Sequence, residues 1–280
     1  MPPPDTARAE SGSTPSGRTP SGRGVPFRGG GFDRRARRWP AVIAFATLIG
    51  AWQGASSLRL INPLFLPSPA EIGQALYLLA ASGDLARHIA ASVQRIALGW
   101  LMGTAAGLAV GLAIGLFSLA RSVGVPLVSA LFPIPKIALL PLFILWFGIG
   151  EPSKLATIGL GVFFPTAVAA FGAVDNVPRS LIRMAQSFGV PTRDIVWKVV
   201  LPGALPGILS GFRISASIAL ILVVAAEMIN AQYGIGALVL FAGNLMRTDQ
   251  LLAGVVVLSA LGLLIAAVLG WLERRLLRWR

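Results

Sequence analysis

Long apolar stretches that alternate with short polar ones are the main pattern in this sequence. Six of the apolar stretches are long enough to cross a bilayer. We therefore predict an all-α, polytopic membrane protein with six transmembrane helices. The predicted spans are residues 39–56, 89–119, 125–149, 155–174, 207–229 and 251–271.

The polar, basic stretch from Arg183 to Pro202 is the clearest water-facing interruption of this pattern. We expect a short helix that Gly189 terminates, and a second helix that starts with Thr192 as its N-cap and stops at Leu201-Pro202. The second helix carries apolar side chains at helical spacing, which predicts an exposed stripe that a partner protein can bind. The stripe consists of Ile195, Val196, Val199 and Val200.

Basic residues predict the orientation of the spans. Residues 1–38 are rich in Pro, Gly, Ser and Arg and contain no apolar run, which predicts a disordered, basic tail without a cleaved signal peptide. The tail and the C-terminal ERRLLRWR are both expected on the cytoplasmic side, where Lys and Arg are retained. The polar loop at about residues 175–206 then also lies in the cytoplasm. On the outer face we expect a linker with a short helix at residues 69–79, and a second segment at 230–249.

Composition and charge exclude several classes of function. The chain is 55% hydrophobic and only 12% charged, and its mean hydropathy is +0.75, values typical of a membrane protein. The net charge of +13 arises from residues near the span ends, so we expect contact with membrane lipid and not with nucleic acid. The absence of cysteine and the single His88 argue against a metal site, and no lysine follows a glycine as an ATP-binding P-loop requires. We expect a non-catalytic chain.

Glycines recur every fourth residue along the second predicted span, from Gly99 to Gly115. A ridge of small residues lets another helix approach closely in a membrane. We expect this ridge to pack within the bundle; dimerisation of two chains through the same face is the alternative.

Charged residues within the apolar stretches are the candidates for a translocation pathway. Lys136 follows two prolines in the middle of the third predicted span, and Arg213 and Glu227 lie near the two ends of the fifth. Such residues face protein or a wet cavity in a membrane and can hold an anionic solute. Alternatively, Lys136 reaches a backbone carbonyl or an interface, and Arg213 and Glu227 extend to the inner and outer membrane surfaces.

The stretch from Arg183 to Pro202 resembles the cytoplasmic EAA loop of ATP-binding-cassette (ABC) importer permeases. Ala185, Gly189, Leu201 and Pro202 match the pattern in register, and Val199 replaces its isoleucine. Arg183 and Met184 stand where the pattern has Glu and Ala. The resemblance implies that the whole set, with Ile195 and Val196, contacts an ATPase.

The likeness extends over most of the chain from about residue 60. The runs LPSPAEI, PIPKIALLPLFILWFGIGEPSK, LPGALPGILSGFRIS and AAEMINAQYGIGAL are similar to the nitrate, sulfonate and taurine subfamily of these permeases. The resemblance implies a type I importer bundle in the cell inner membrane, which forms the pathway for a small solute. It also implies a second, identical permease subunit, an extracytoplasmic solute-binding protein and two ATPase subunits that bind the ATP and Mg.

Three other functions fit parts of the sequence. A related importer permease for a pyrimidine-type vitamin precursor shares the PIPK and WFGIG region. An ATPase-independent channel or secondary transporter usually has internal repeats or paired broken helices, whereas this sequence has one break, at residues 133–136. A membrane scaffold without transport would use the polar loop as an adaptor site.

Overall fold

The computed structural model describes residues 38–278, which form helices joined by short turns and contain no strand. The predicted all-α fold is confirmed, whereas the predicted basic tail lies outside the described residues except for Arg38. Contacts divide the chain after Thr47 into two units, and the packing described below is that of the second unit, from Leu48 onward. The helices are α1 (Arg38–Ser57), α2 (Pro69–Ala81), α3 (Asp84–Leu116), α4 (Ser118–Leu131), α5 (Leu140–Phe147), α6 (Glu151–Asp175), α7 (Arg179–Ser187), α8 (Thr192–Ile195), α9 (Leu201–Asn230), α10 (Ile235–Asn244) and α11 (Thr248–Leu276).

The glycine ridge of α3 packs directly against α6. A Cβ atom added at Gly103 would collide with the carbonyl group of Gly159, and one added at Gly111 would lie 2.5 Å from the carbonyl oxygen of Ala167. The residue numbers of α3 and of its contacts in α6 increase together along the interface, so the two helices run in the same direction. The predicted packing of the ridge within the bundle is therefore confirmed, because its small residues are what allow the two backbones to touch.

The centre of the structure is formed by α6 and α9. One apolar cluster includes Ile158 and Val162 of α6 and Val223 of α9, all with no exposed surface. A second cluster, further along α6, includes Ala170 and, from the start of α9, Ala204. Close packing along two helices provides the dispersion contacts that hold helices together where surrounding lipid is itself apolar.

The third predicted span is broken at the predicted place. Helix α4 ends at Leu131, and a 3₁₀ turn at Lys136–Leu139 leads into α5, so that the two helices meet at 86°. Pro133 and Pro135 lie in the break, where their missing N–H groups prevent a continuous helix. The segment is either one bent span or a re-entrant loop.

The number of spans differs from the prediction. Four helical segments among the described residues are long and apolar enough to cross a membrane, and the bent pair α4–α5 is a fifth. Helix α1 coincides with the first predicted span, but its 20 residues include Trp, Gln, Gly and Ser, which dilute its apolar character. The structure thus supports four to five spans by length and composition, and the count of six is not reached.

The prediction that the helix after Thr192 stops at Leu201-Pro202 is wrong. The helix continues through a π turn at Val196–Val200 into α9, and the apolar segment runs from Thr192 to Ile229. In this turn the Leu201 N–H donates to the carbonyl of Val196, five residues earlier. Pro202 follows directly after this turn, near the start of α9, and its missing N–H removes one backbone hydrogen bond at this junction.

Two shorter helices lie between the long ones. Helix α2 coincides with the predicted short helix, and Ser68 caps it by accepting a hydrogen bond from the Glu71 N–H (3.2 Å). Helix α10 lies in the outer segment predicted at residues 230–249, for which no helix was predicted. It was missed because its ten residues are too few for a span, and it is held by packing against α9 and α11.

Candidate functional sites

The polar loop consists of α7, a tight turn and α8. Helix α7 ends at Ser187, and Gly189 has φ +69°, the left-handed conformation that closes many helices. The Val190 N–H donates to the Ala185 carbonyl (3.1 Å) across this turn. The predicted break at Gly189 is confirmed. Thr192 is the first residue of α8 and not its N-cap, a position that Pro191 occupies.

The predicted apolar stripe does not face solvent. Ile195 and Val200 are buried, with exposed fractions of 4% and 5%, and they belong to the second core cluster together with Val177 and Ala204. Val196 and Val199 are half-buried. The predicted exposure of this stripe is therefore wrong, because the continuous helix leads it into the core beside α6. Its contact with an ATPase stays a prediction.

A different set of apolar side chains on the same loop is exposed. Phe188 and Trp197 are 79% and 64% exposed. Phe188 directly precedes Gly189, and Trp197 lies in the π turn that follows α8. Exposed basic residues accompany them, and Lys198 Nζ donates to Asp194 Oδ2 (2.7 Å) at the surface. We call this set the loop surface. It comprises Leu181, Met184, Phe188 and Trp197 with Arg179, Arg183, Arg193 and Lys198.

Lys136 donates to backbone carbonyls at the break between α4 and α5. Its Nζ lies 2.7, 2.9 and 2.6 Å from the carbonyl oxygens of Leu131, Phe132 and Ile134. The ammonium group also lies 4.5 Å from the centroid of the Phe164 ring. These contacts are those of the alternative reading, in which the lysine satisfies carbonyls that the broken helix leaves free. Lys136 still borders a cavity of about 130 Å³.

Arg213 pairs with another helix instead of extending alone to the membrane surface. Its Nη2 donates to Glu273 Oε2 of α11 (2.6 Å), and the two side chains are 52% and 27% exposed. The pair joins α9 to α11.

Glu227 is buried in a network of hydrogen bonds, and its predicted extension to the outer surface is wrong. Its carboxylate accepts from Ser92 Oγ (2.8 Å), Arg95 Nη1 (2.8 Å) and the Gly236 N–H (2.9 Å), and the residue is 1% exposed. Four residues of this network are charged. We call them the ion cluster: Arg95, Glu151, Lys154 and Glu227.

Arg95 is the centre of the ion cluster. Its Nε and Nη2 donate to the two carboxylate oxygens of Glu151, each at 2.7 Å, and Lys154 Nζ donates to Glu151 Oε1 (3.2 Å). Arg95 Nη1 also donates to the Tyr233 carbonyl (2.5 Å), in the turn before α10. The cluster joins α3, α6, α9 and this turn, and two positive charges balance two negative ones.

Lys136, Arg213 and Glu227 therefore have three separate sets of partners, and the structure does not bring them together. In residues 38–278 no group of three or more histidine or acidic side chains is placed to hold a metal ion.

Residues 89–278 match the family described as "Binding-protein-dependent transport system inner membrane component". The chain belongs to this family. The resemblance predicted from the loop and the four sequence runs is thereby confirmed, and the chain is a multi-pass inner-membrane permease.

Several curated permeases are similar to this permease along most of their length. The taurine transport system permease protein TauC of Escherichia coli (strain K12) is 39% identical, and the alignment covers 86% of this chain and 92% of TauC. The putative aliphatic sulfonates transport permease protein SsuC of the same organism is 37% identical, with 83% and 88% covered. SsuC of Bacillus subtilis (strain 168) is 33% identical, with 84% and 85% covered.

Solved transporter structures share the fold of this permease. Two inward-facing crystal forms of the MetNI methionine ABC transporter give TM-scores of 0.59 and 0.61 at 24% and 22% identity. They cover 69% and 70% of this chain, and 95% and 98% of the MetNI chain. Identity at this level concerns the fold alone, and it confirms the predicted importer-permease bundle.

Reasoning from the sequence missed the ion cluster of this permease, although it named Glu227. Arg95 and Glu227 are two opposite charges within predicted spans, and a charge inside a membrane normally has a partner. That rule could have suggested the pair. Glu151 and Lys154 looked like residues of an outer turn, and only the fold shows that α6 begins beside Arg95.

Proposed function

We propose that this permease forms the translocation pathway of an ATP-driven importer for a small sulfonate such as taurine. The single observation that carries the ATP-driven mechanism is the loop surface, which exposes apolar and basic side chains next to a helix anchored in the core. Three relatives named for taurine or aliphatic sulfonates support the solute class, and they favour it over a pyrimidine-type vitamin precursor.

The loop surface is proposed to dock on a cytoplasmic ATPase, which binds the ATP and Mg. Phe188 and Trp197 supply the exposed apolar contacts that a groove in a partner buries, and the neighbouring basic residues complement an acidic rim. Ile195 and Val200 transmit the motion, since they pack the helix that continues into α9 against α6. The coupling residues proposed from the EAA resemblance thus divide into two sets. The docking set includes Arg183 and Met184, and the anchoring set includes Ile195. The complete predicted set is Arg183, Met184, Ala185, Gly189, Ile195, Val196, Val199, Leu201 and Pro202.

The remaining partners follow from the same proposal. Two copies of the permease would enclose the pathway, two ATPases would bind their loops, and an extracytoplasmic binding protein would deliver the solute, as the family description suggests. Both termini would lie in the cytoplasm. Of the three predicted pathway residues, Lys136 has the best support, because it lies at a broken helix. Contacts within the chain support structural roles for Arg213 and Glu227.

Phe188→Glu tests the docking of the loop surface. We expect this variant to lose co-purification with the ATPase and ATP-dependent uptake, because a carboxylate replaces an exposed apolar contact. Phe65→Glu is the matched control, since Phe65 is also 79% exposed but lies in the linker predicted on the other side of the membrane. The proposal fails if both variants retain the ATPase, or if the permease transports taurine in liposomes without an ATPase.

A further inference from the structure

Two adjacent grooves run along the surface between α3, α9 and α11. The first has a volume of about 320 Å³, and all of its lining residues are apolar or aromatic, including Ile96, Trp100 and Leu261. The polar Nε1 of Trp100 is already satisfied, because it donates to Ser215 Oγ (2.9 Å). A groove that offers no hydrogen bond suits a hydrocarbon chain and not a polar solute.

The second groove, of about 290 Å³, lies beside the first, between α9 and α11. Ala216, Ile265 and Leu269 line both, so the two grooves are adjacent, and we call them together the channel. From Leu261 to Leu269 the channel follows α11 for roughly 12 Å at 1.5 Å per residue. This length is close to the hydrocarbon thickness of one leaflet, roughly 15 Å.

Positive charge is concentrated where the second groove ends. A Cβ atom built on Gly270 would lie 3.4 Å from Arg213 Nη2 and 3.8 Å from Arg274 Nη1, so two guanidinium groups approach the same point. Glu273 pairs with Arg213, whereas Arg274 is exposed and forms no ion pair with any described carboxylate. Arg275 lies 5.0 Å from the Trp271 ring in the next turn of α11. The mouth of the channel is therefore positive.

We propose that this channel binds an anionic phospholipid, with its acyl chains along the two adjacent grooves and the phosphate on Arg213 and Arg274. The apolar channel accounts for the chain, and the converging guanidinium groups complement the headgroup. Trp271 and Arg275 lie at the level where aromatic and basic side chains meet lipid headgroups. The site shares no residue with the loop surface.

Native mass spectrometry of the purified full-length chain tests this site. Phosphatidylglycerol and phosphatidylcholine with the same acyl chains are added separately, and the bound lipids are counted. We expect preferential retention of phosphatidylglycerol by the wild type. The double variant Arg213→Gln/Arg274→Gln should reduce its binding constant by roughly 30-fold, since each arginine contributes about fivefold at an anionic lipid surface. Arg59→Gln/Arg247→Gln removes two exposed charges from elsewhere and should retain the preference.

A second pair of variants tests the acyl chain while keeping the charges. Ala266→Trp fills the second groove, and Ala267→Trp adds the same bulk at an exposed neighbouring position outside both grooves. Only Ala266→Trp should reduce retention of phosphatidylglycerol. Equal retention of the two lipids, an unaffected double arginine variant, or equal effects of the two tryptophan variants would each overturn the proposal. Displacement of phosphatidylglycerol by equimolar inorganic phosphate, or a second copy of the chain cross-linked into the groove, would also overturn it.

Discussion

The ion cluster and the loop surface use the same kinds of charged residue in opposite ways. In the ion cluster, Arg95 and Glu227 are almost completely buried, and each has several partners within the chain. On the loop surface, Phe188 and Trp197 are exposed beside basic side chains. Within residues 38–278, only Lys198 among these basic side chains forms an ion pair within 4 Å. One region is complete in the single chain, and the other has the composition of a contact surface.

This difference separates structural from coupling roles. A buried and fully paired charge fixes the geometry of the helices that carry it, since any separation would leave a charge without a partner. An exposed pair such as Lys198–Asp194 fixes little, because water and salt screen it. Helix α6 connects the two regions: it begins at Glu151 in the ion cluster and ends at Asp175, where the polar loop starts.

Removing one member of the ion cluster should have the largest effect. Glu227→Ala leaves Arg95 with one carboxylate fewer in a buried site and is expected to lower the free energy of unfolding by about 3–5 kcal/mol. Denaturant or thermal unfolding in detergent measures the loss. Glu273→Ala, which breaks the half-exposed pair with Arg213, should cost only about 0–1 kcal/mol. Equal losses in the two variants would contradict the contrast between buried and exposed pairs.

The anchoring and docking sets of the loop should respond differently to truncation. Ile195→Ala creates a cavity in the core and should lower the free energy of unfolding by about 2–5 kcal/mol. Trp197→Ala removes an exposed side chain and should change it by about 0.5 kcal/mol or less, while reducing ATPase-coupled uptake. A Trp197→Ala variant that unfolds as easily as Ile195→Ala would show that the division into two sets is wrong.

The contact between α3 and α6 should be sensitive to a single methyl group. Gly103→Ala forces a Cβ against the backbone of Gly159 and is expected to cost about 1–3 kcal/mol. Gly172→Ala is the control within α6, since nothing lies within 4 Å of its added Cβ, and it should be neutral or stabilising by up to about 1 kcal/mol. Thermal unfolding of the two variants side by side measures the difference. If Gly103→Ala is as stable as the wild type, the backbones of the two helices do not touch as described.

The smallest effect is expected for the surface pair in the loop. Asp194→Ala removes the partner of Lys198 and should change the free energy of unfolding by about 0.3–0.5 kcal/mol, since both side chains are exposed. Unfolding at low and high salt measures this contribution, which should vanish as the salt concentration rises. A loss as large as that of Glu227→Ala would contradict the difference between buried and exposed ion pairs.

The sequence predicted the features that depend on local pattern. Gly189 ends a helix because a left-handed residue is needed there, and Pro133 and Pro135 break one because they lack N–H groups. The ridge from Gly99 to Gly115 indicated close packing because its period matches a helix face. The family resemblance of the loop and of the runs around it added the fold and the transport role.

The features that were missed depend on contacts distant in sequence. Arg95 meets Glu227, which is 132 positions away in the sequence, and no periodicity encodes such a contact. Ile195 and Val200 have the spacing of an exposed stripe, but the continuation of α8 into α9 directs them into the core. Helix α10 is too short to be recognised by its length, and only its neighbours show that an apolar decamer can be helical here.

The π turn at Val196–Val200 sets the rotational phase of everything that follows it. A π turn contains one residue more than an α turn, and one residue corresponds to roughly 100° around a helix axis. Ala204 and Ile208 therefore face α6 only because that residue is present upstream. In an unbroken α-helix from Thr192, the same sequence would turn its small, apolar face toward a different neighbour. The orientation of α9 in the bundle is thus determined by the segment that joins it to the loop.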